Sequence, residues 1–210
     1  MIGLSYLRSS LARLRNSLGR EDRAAQLVEF AVSLPLLVVF VVGIFDFSGA
    51  FTLKQKLTNI ARDAARAAAA DPASDLQSTV PVSVYDAFQV MDNDLVANQI
   101  NDCGITAPSS PVGTSLTWKS TGTGNGCPSG GLIFTINRGY YFASNVTSSP
   151  APVNCQPTQT ISGSQTAVIA TCVSLQYAYQ WKFGRVASLL GKSITLPSTL
   201  AASAIALNEN

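Results

Sequence analysis

The sequence predicts an α+β protein: a long N-terminal helix, a second short helix, and a small antiparallel sheet tied by disulfides. Three observations carry this expectation. Phe30 to Phe45 is an uncharged apolar run that leads into an alanine-rich amphipathic stretch. Val173 to Phe183 alternates apolar and polar residues with period two, and Cys103, Cys127, Cys155 and Cys172 all lie beyond the apolar run.

The chain opens on residues 1–24, where Leu4, Leu7, Leu11, Leu14 and Leu18 recur every three or four residues with arginines between them, the pattern of an amphipathic helix lying on a membrane surface or of an export leader. Arg8, Arg13, Arg15, Arg20 and Arg23 against Glu21 and Asp22 give this segment a net charge of +3, whereas the whole chain carries +2. The remainder is therefore close to neutral, at −1, and offers no basic face for nucleic acid.

The span from Leu27 to Phe51 is interrupted by charge only at Glu29 and Asp46. At ~1.5 Å per residue it is long enough to cross ~30 Å of hydrocarbon. Pro35 is tolerated inside such a helix. Five arginines before the span and only Lys54 and Lys56 close behind it place the N-terminus in the cytoplasm and the rest outside. Glu29 is the acid at the mouth of this run. An ionisable group at the edge of hydrocarbon marks a functional site, with a cation to be sought outside its own helix; the alternative is an acid that caps a helix N-terminus. Asp46 is expected to be solvated at the outer interface, a helix-to-helix contact being the alternative.

Leu53, Leu57, Ile60, Ala61, Ala64, Ala65 and Ala68 share one helical face, so the helix is expected to continue to about Ala70, where Pro72 ends it. Small side chains on that face permit close packing. Three parts follow: a basic leader at 1–24, a transmembrane helix running into an amphipathic stalk at 25–71, and an extracytoplasmic α+β domain at 72–210. Within the last, Ser83 to Ile100 reads as a helix with Phe88, Met91 and Leu95 inward. Its Asp92-Asn93-Asp94 lacks the glycine and terminal Glu of an EF-hand and reads as a solvated face. Residues 107–131 are loop and short strand around Leu116-Thr117-Trp118, Leu132 to Phe142 is a strand, and Val173 to Phe183 is a half-buried strand. Leu200 to Leu207, opened by Pro197 and Ser198, is read as a further strand.

Four cysteines without a C-x-x-C pair suit two structural disulfides in an oxidising compartment. Three connectivities are open, the local one, Cys103 to Cys127 and Cys155 to Cys172, being favoured. The sequence has no histidine, which removes His-based triads and His metal sites. It also carries no Gly-rich phosphate loop, no Gly-x-Ser-x-Gly and no paired carboxylates on a common face. Neither catalytic residues, a metal nor a cofactor is expected.

Arg23-Ala24-Ala25-Gln26-Leu27-Val28-Glu29-Phe30-Ala31, the apolar run with Pro35, Gly43-Ile44-Phe45-Asp46-Phe47, and Ala61-Arg62-Asp63-Ala64-Ala65-Arg66-Ala67 together resemble the TadE-like family, minor pseudopilins of tight-adherence (Tad) pili. The resemblance covers residues 20–70 and implies a pilin-like fold. It further implies that a prepilin peptidase cuts between Ala24 and Ala25, leaving Glu29 fifth and Phe30 sixth, although Ala24 stands where the family commonly has Gly. The new Ala25 ammonium would then pair with Glu29 of a neighbouring subunit. The partners so implied are other pilin and pseudopilin subunits, the prepilin peptidase, an inner-membrane pilus platform and the lipid bilayer. The implied location is the bacterial inner membrane, single-pass, with possible incorporation into a surface pilus.

Two other readings stand beside it. Ser48-Gly49-Ala50 resembles a signal-peptidase site, which would make the chain a secreted domain, but the apolar stretch exceeds the usual ~7–15 residues and an amphipathic helix follows directly. A single-pass adhesin without an assembly role is the third; Asp75-Leu76-Gln77-Ser78 does not fit the Asp-x-Ser-x-Ser signature of a metal-dependent adhesion domain.

Overall fold

The computed structural model describes residues 3–143, 152–156, 166–182 and 196–208. The chain divides into two compact units, one built on the residues up to Asp46 and the other on Phe47–Trp181 with the C-terminal strand. Helix α1, Gly3–Ala70, runs through both as 68 continuous residues with Pro35 inside it. Pro35 has no N–H to offer the Ala31 carbonyl, a loss that a helix in lipid absorbs.

In the first unit the helix presents apolar side chains outward. Leu27, Val32, Phe40, Ile44 and Phe45 are each more than 60% exposed, a surface that in water would be a liability and in hydrocarbon is not. This is the one helix among the described residues long and apolar enough to span a membrane.

In the second unit the same helix becomes the spine of a domain. Leu57, Ile60, Ala61, Ala64, Ala65 and Ala68 are almost fully buried, as the helical spacing of the sequence requires. The helix stops at Ala70 because Pro72 forces Asp71 out of the helical region. A short 3-10 turn, Ala73–Gln77, leads to α2, Val82–Ala97. Helix α2 buries Val84, Ala87, Phe88, Met91 and Leu95 against the same core.

The sheet is a four-stranded antiparallel meander of β1 (Thr117–Gly122), β2 (Leu132–Ala143), β3 (Ala167–Ala178) and β4 (Thr199–Leu207), in spatial order 1-2-3-4. One face supplies Trp118, Phe134, Ile136, Val173, Leu175 and Ala202 to the core beneath the helices. Phe88 and Phe134 meet edge to face at 6.0 Å. The Trp118 indole donates to the Thr79 carbonyl at 2.9 Å, fastening the β1 edge to the segment between the helices. The loop from β1 to β2, residues 123–131, closes against the end of β1: a Cβ at Gly131, φ +66°, would lie 2.1 Å from the Gly122 carbonyl oxygen, so only glycine fits there.

Strand β3 departs from expectation in two ways. It begins at Ala167 and ends at Ala178, leaving Tyr179 and Trp181 outside the ladder, while Phe183 lies outside the described residues. It is also buried on both faces from Ala170 to Leu175, because Tyr140, Cys155, Ala170 and Cys172 form a second small cluster on the far side. The four cysteines pair locally, Cys103–Cys127 and Cys155–Cys172. Cys103 and Cys155 both adopt left-handed backbone conformations (φ 59° and 52°). Asn101 Oδ1 supports the first by accepting from the Cys103 N–H at 2.8 Å.

Candidate functional site

The N-terminal site sits on the exposed part of α1. The Ala24–Ala25 peptide lies inside the helical backbone, and Ala25, Glu29 and Phe30 are exposed. Residues four apart share a helical face, so Ala25 and Glu29 stand one above the other. An apolar groove follows the helix from Val28 to Val41, past Val32, Leu36 and Phe40, with Glu29 at its N-terminal end as the only ionisable group among these lining residues. Ser33 folds its hydroxyl back onto the Phe30 carbonyl at 3.2 Å, hiding its own polarity. Among the described residues Glu29 takes part in no ion pair; the one ion pair there is the exposed Arg66–Asp63 contact at 3.8 Å. An acid so placed presents a charge that a neighbouring helix carrying a cation can neutralise while covering the groove.

Asp46, at the other end of the run, is not solvated. It is only 6% exposed and is engaged by a partner. A carboxylate this close to hydrocarbon lowers its cost by being held rather than by waiting for water.

A second constellation, invisible in the sequence, closes the outer end of α1. Arg138, on β2 and fully buried, donates through Nη1 to the Ala68 carbonyl, to Thr171 Oγ1 at 2.8 Å and to Asn208 Oδ1 at 3.3 Å. Its Nη2 donates to the Asp71 carbonyl at 3.0 Å. The last carbonyls of a helix have no partner of their own, and a guanidinium both satisfies them and sits at the negative end of the helix dipole. Burial pulls the Arg138 pKa down, opposed by Asp75 and Asp71, and the guanidinium, the most basic of side chains, stays charged. Burial pushes Asp71 up, and Asp86 and Asp75 add to the effect while Arg138 opposes it. Arg138 escaped the sequence analysis because a single arginine in a strand pattern points equally well to solvent. Its one local signal is the adjoining Gly139, where the β2–β3 register shifts between Asn137 and Tyr140.

Among the described residues no group of three or more His, Cys, Asp or Glu is placed to hold a metal ion. Asp92 and Asp94 lie half-exposed on α2. Residues 24–66 match the family described as TadE-like protein, which covers both the exposed segment with Glu29 and the alanine-rich face that enters the domain. No curated protein and no solved structure matches the chain.

Proposed function

We propose that this chain, a TadE-like protein over residues 24–66, is a structural subunit, a minor pilin or pseudopilin, that takes part in assembling or priming a Tad-type pilus. On this reading residues 25–71 anchor it in the inner membrane with the N-terminus cytoplasmic, and residues 72–210 form the exported domain. A prepilin peptidase removes residues 1–24. The observation that carries the proposal is Glu29 standing exposed at the end of an apolar groove, four residues beyond Ala25, inside the segment that matches the family.

The physical logic is charge neutralisation between copies. A free ammonium at Ala25 of one subunit and the Glu29 carboxylate of the next attract more strongly as surrounding water is excluded. Desolvation offsets most of the gain, so the pair sets register more than it adds affinity. The alanine-rich, fully buried face beyond Leu57 then ties each helix to its domain, so that a pull on the helix moves the domain with it.

The test compares Glu29→Ala and Glu29→Gln in cells. Normal membrane amounts with lost piliation, or lost co-purification with other pilus subunits, are expected of both. Normal piliation by both variants would remove the pairing role and leave Glu29 as an interfacial cap.

A further inference from the structure

Where α1 enters the second unit, three rings pack against one another in a row. Phe47 on α1 meets Trp181 with centroids 5.1 Å apart, and Tyr179 meets Trp181 edge to face at 4.9 Å. The Trp181 indole N–H donates to the Pro197 carbonyl at 2.6 Å, and the Tyr179 N–H donates to the Ser198 carbonyl at 2.9 Å. Tyr179 Oη lies so close to Gly49 that a Cβ there would stand 3.3 Å away. The rings are thus fixed in place, yet not hidden: Phe47 remains 50% exposed, and Phe51, one turn further on, 65%. Lys54 follows on the exposed helix surface.

The order Phe47, Phe51, Lys54 covers about 10 Å along the helix at ~1.5 Å per residue, comparable to the roughly 5–8 Å of headgroup layer on each side of the hydrocarbon. Apolar rings with a polar edge concentrate in that layer, and a lysine beyond them reaches its phosphates.

We propose that Phe47, Phe51, Tyr179 and Trp181 form an interfacial collar that seats the base of the exported domain in the headgroup layer of the phospholipid bilayer. The proposal rests on the membrane-anchored reading of α1. Its occupant is lipid, not a second protein: Phe47 and Phe51 follow directly after the exposed apolar residues Ile44 and Phe45 along helix α1.

The test uses the full chain reconstituted in phosphatidylethanolamine–phosphatidylglycerol vesicles. The chain has two tryptophans, and Trp118, only 1% exposed in the core, is shielded from lipid and reports folding. Trp181 emission is taken as the difference between the wild type and Trp181→Phe. A lipid spin-labelled near the headgroup is expected to reduce this emission about twofold, more than a label at the acyl terminus does, with aqueous iodide having little effect. Unchanged Trp118 emission shows that the variant folds. Iodide quenching of Trp181 without quenching by the shallow label, in chain that resists alkaline carbonate, would overturn the collar alone. Loss of iodide quenching of Trp181 on adding a partner pilus subunit, with no quenching by labelled lipid beforehand, would assign the rings to a protein contact and equally overturn it. Extraction of the chain by carbonate would overturn the anchoring reading, and the collar with it.

Discussion

Replacing Arg138 tests how much this one side chain adds to holding the end of α1 in its domain. Arg138→Leu keeps most of the volume and removes every donor. The Ala68 and Asp71 carbonyls are then left in a site that Arg138, itself 0% exposed, had sealed. Each orphaned buried acceptor costs about 1–3 kcal/mol. Thr171 and Asn208 keep each other, since the Thr171 hydroxyl already donates to Asn208 Oδ1 at 2.7 Å. Against this loss stands relief from burying a cation, which in other proteins has made the apolar replacement of buried ions neutral or better. Here the hydrogen-bonded partners are carbonyls, while Asp71 and Asp75, the carboxylates near the guanidinium, lose a favourable charge, and the net expectation is a loss of about 3 kcal/mol. For a domain whose whole stability is on the order of 5–15 kcal/mol that is a large fraction. Arg138→Lys keeps the charge at the helix end but lacks the planar fork, and about half the loss is expected. Urea unfolding of the full chain in detergent, followed through the buried Trp118, measures both. A midpoint for Arg138→Leu equal to wild type, or a Lys variant as damaging as Leu, would refute the reasoning.

Three further outcomes are expected. Cys155→Ala with Cys172→Ala should cost about 3 kcal/mol by lengthening the unconstrained chain, and non-reducing mass mapping of the protein should find no free thiol. Intact-mass analysis of assembled protein should show a chain starting at Ala25; retention of Met1 or a start near Phe51 would contradict this. Because burial raises Asp71 and Asp92 above the ordinary carboxylate value of 3.8, with neighbouring acids adding to it, the folded state binds more protons than the unfolded one just above that value. The contribution of these groups to stability therefore falls as pH rises through that window, and thermal melts of Asp71→Asn should lose part of the pH dependence seen in wild type between about pH 4 and 7.

The elements legible in the sequence were those whose pattern is local. The apolar run and the helical spacing of Leu57, Ile60, Ala61, Ala64 and Ala68 carried α1 to about Ala70, where Pro72 marks the stop. The inward face of α2 followed from Phe88, Met91 and Leu95. What period-two alternation could not tell was where β3 stops. Val173, Leu175 and Tyr177 point into the core as their spacing requires. Tyr179 and Trp181 continue the pattern but are claimed by Phe47, which lies more than a hundred residues earlier in the chain. The upstream half of the strand lacks alternation because Cys172, Ala170 and Tyr140 need cover on the far face as well.

Ser48-Gly49-Ala50 carries a local pattern with two readings. Three small residues after an apolar run invite the reading of a cleavage site; α1 is helical through them, as it is through Ala24–Ala25, and Ala50 is buried. Gly49 is small because Tyr179 rests against it. The same small-residue signature thus has a packing cause that the sequence alone could not separate from a processing one. The distinction bears on function: a chain cut after Ala50 would lose Phe47 from beneath Trp181, whereas one cut before Ala25 keeps the whole helix that the domain is built around, together with the acid at its start.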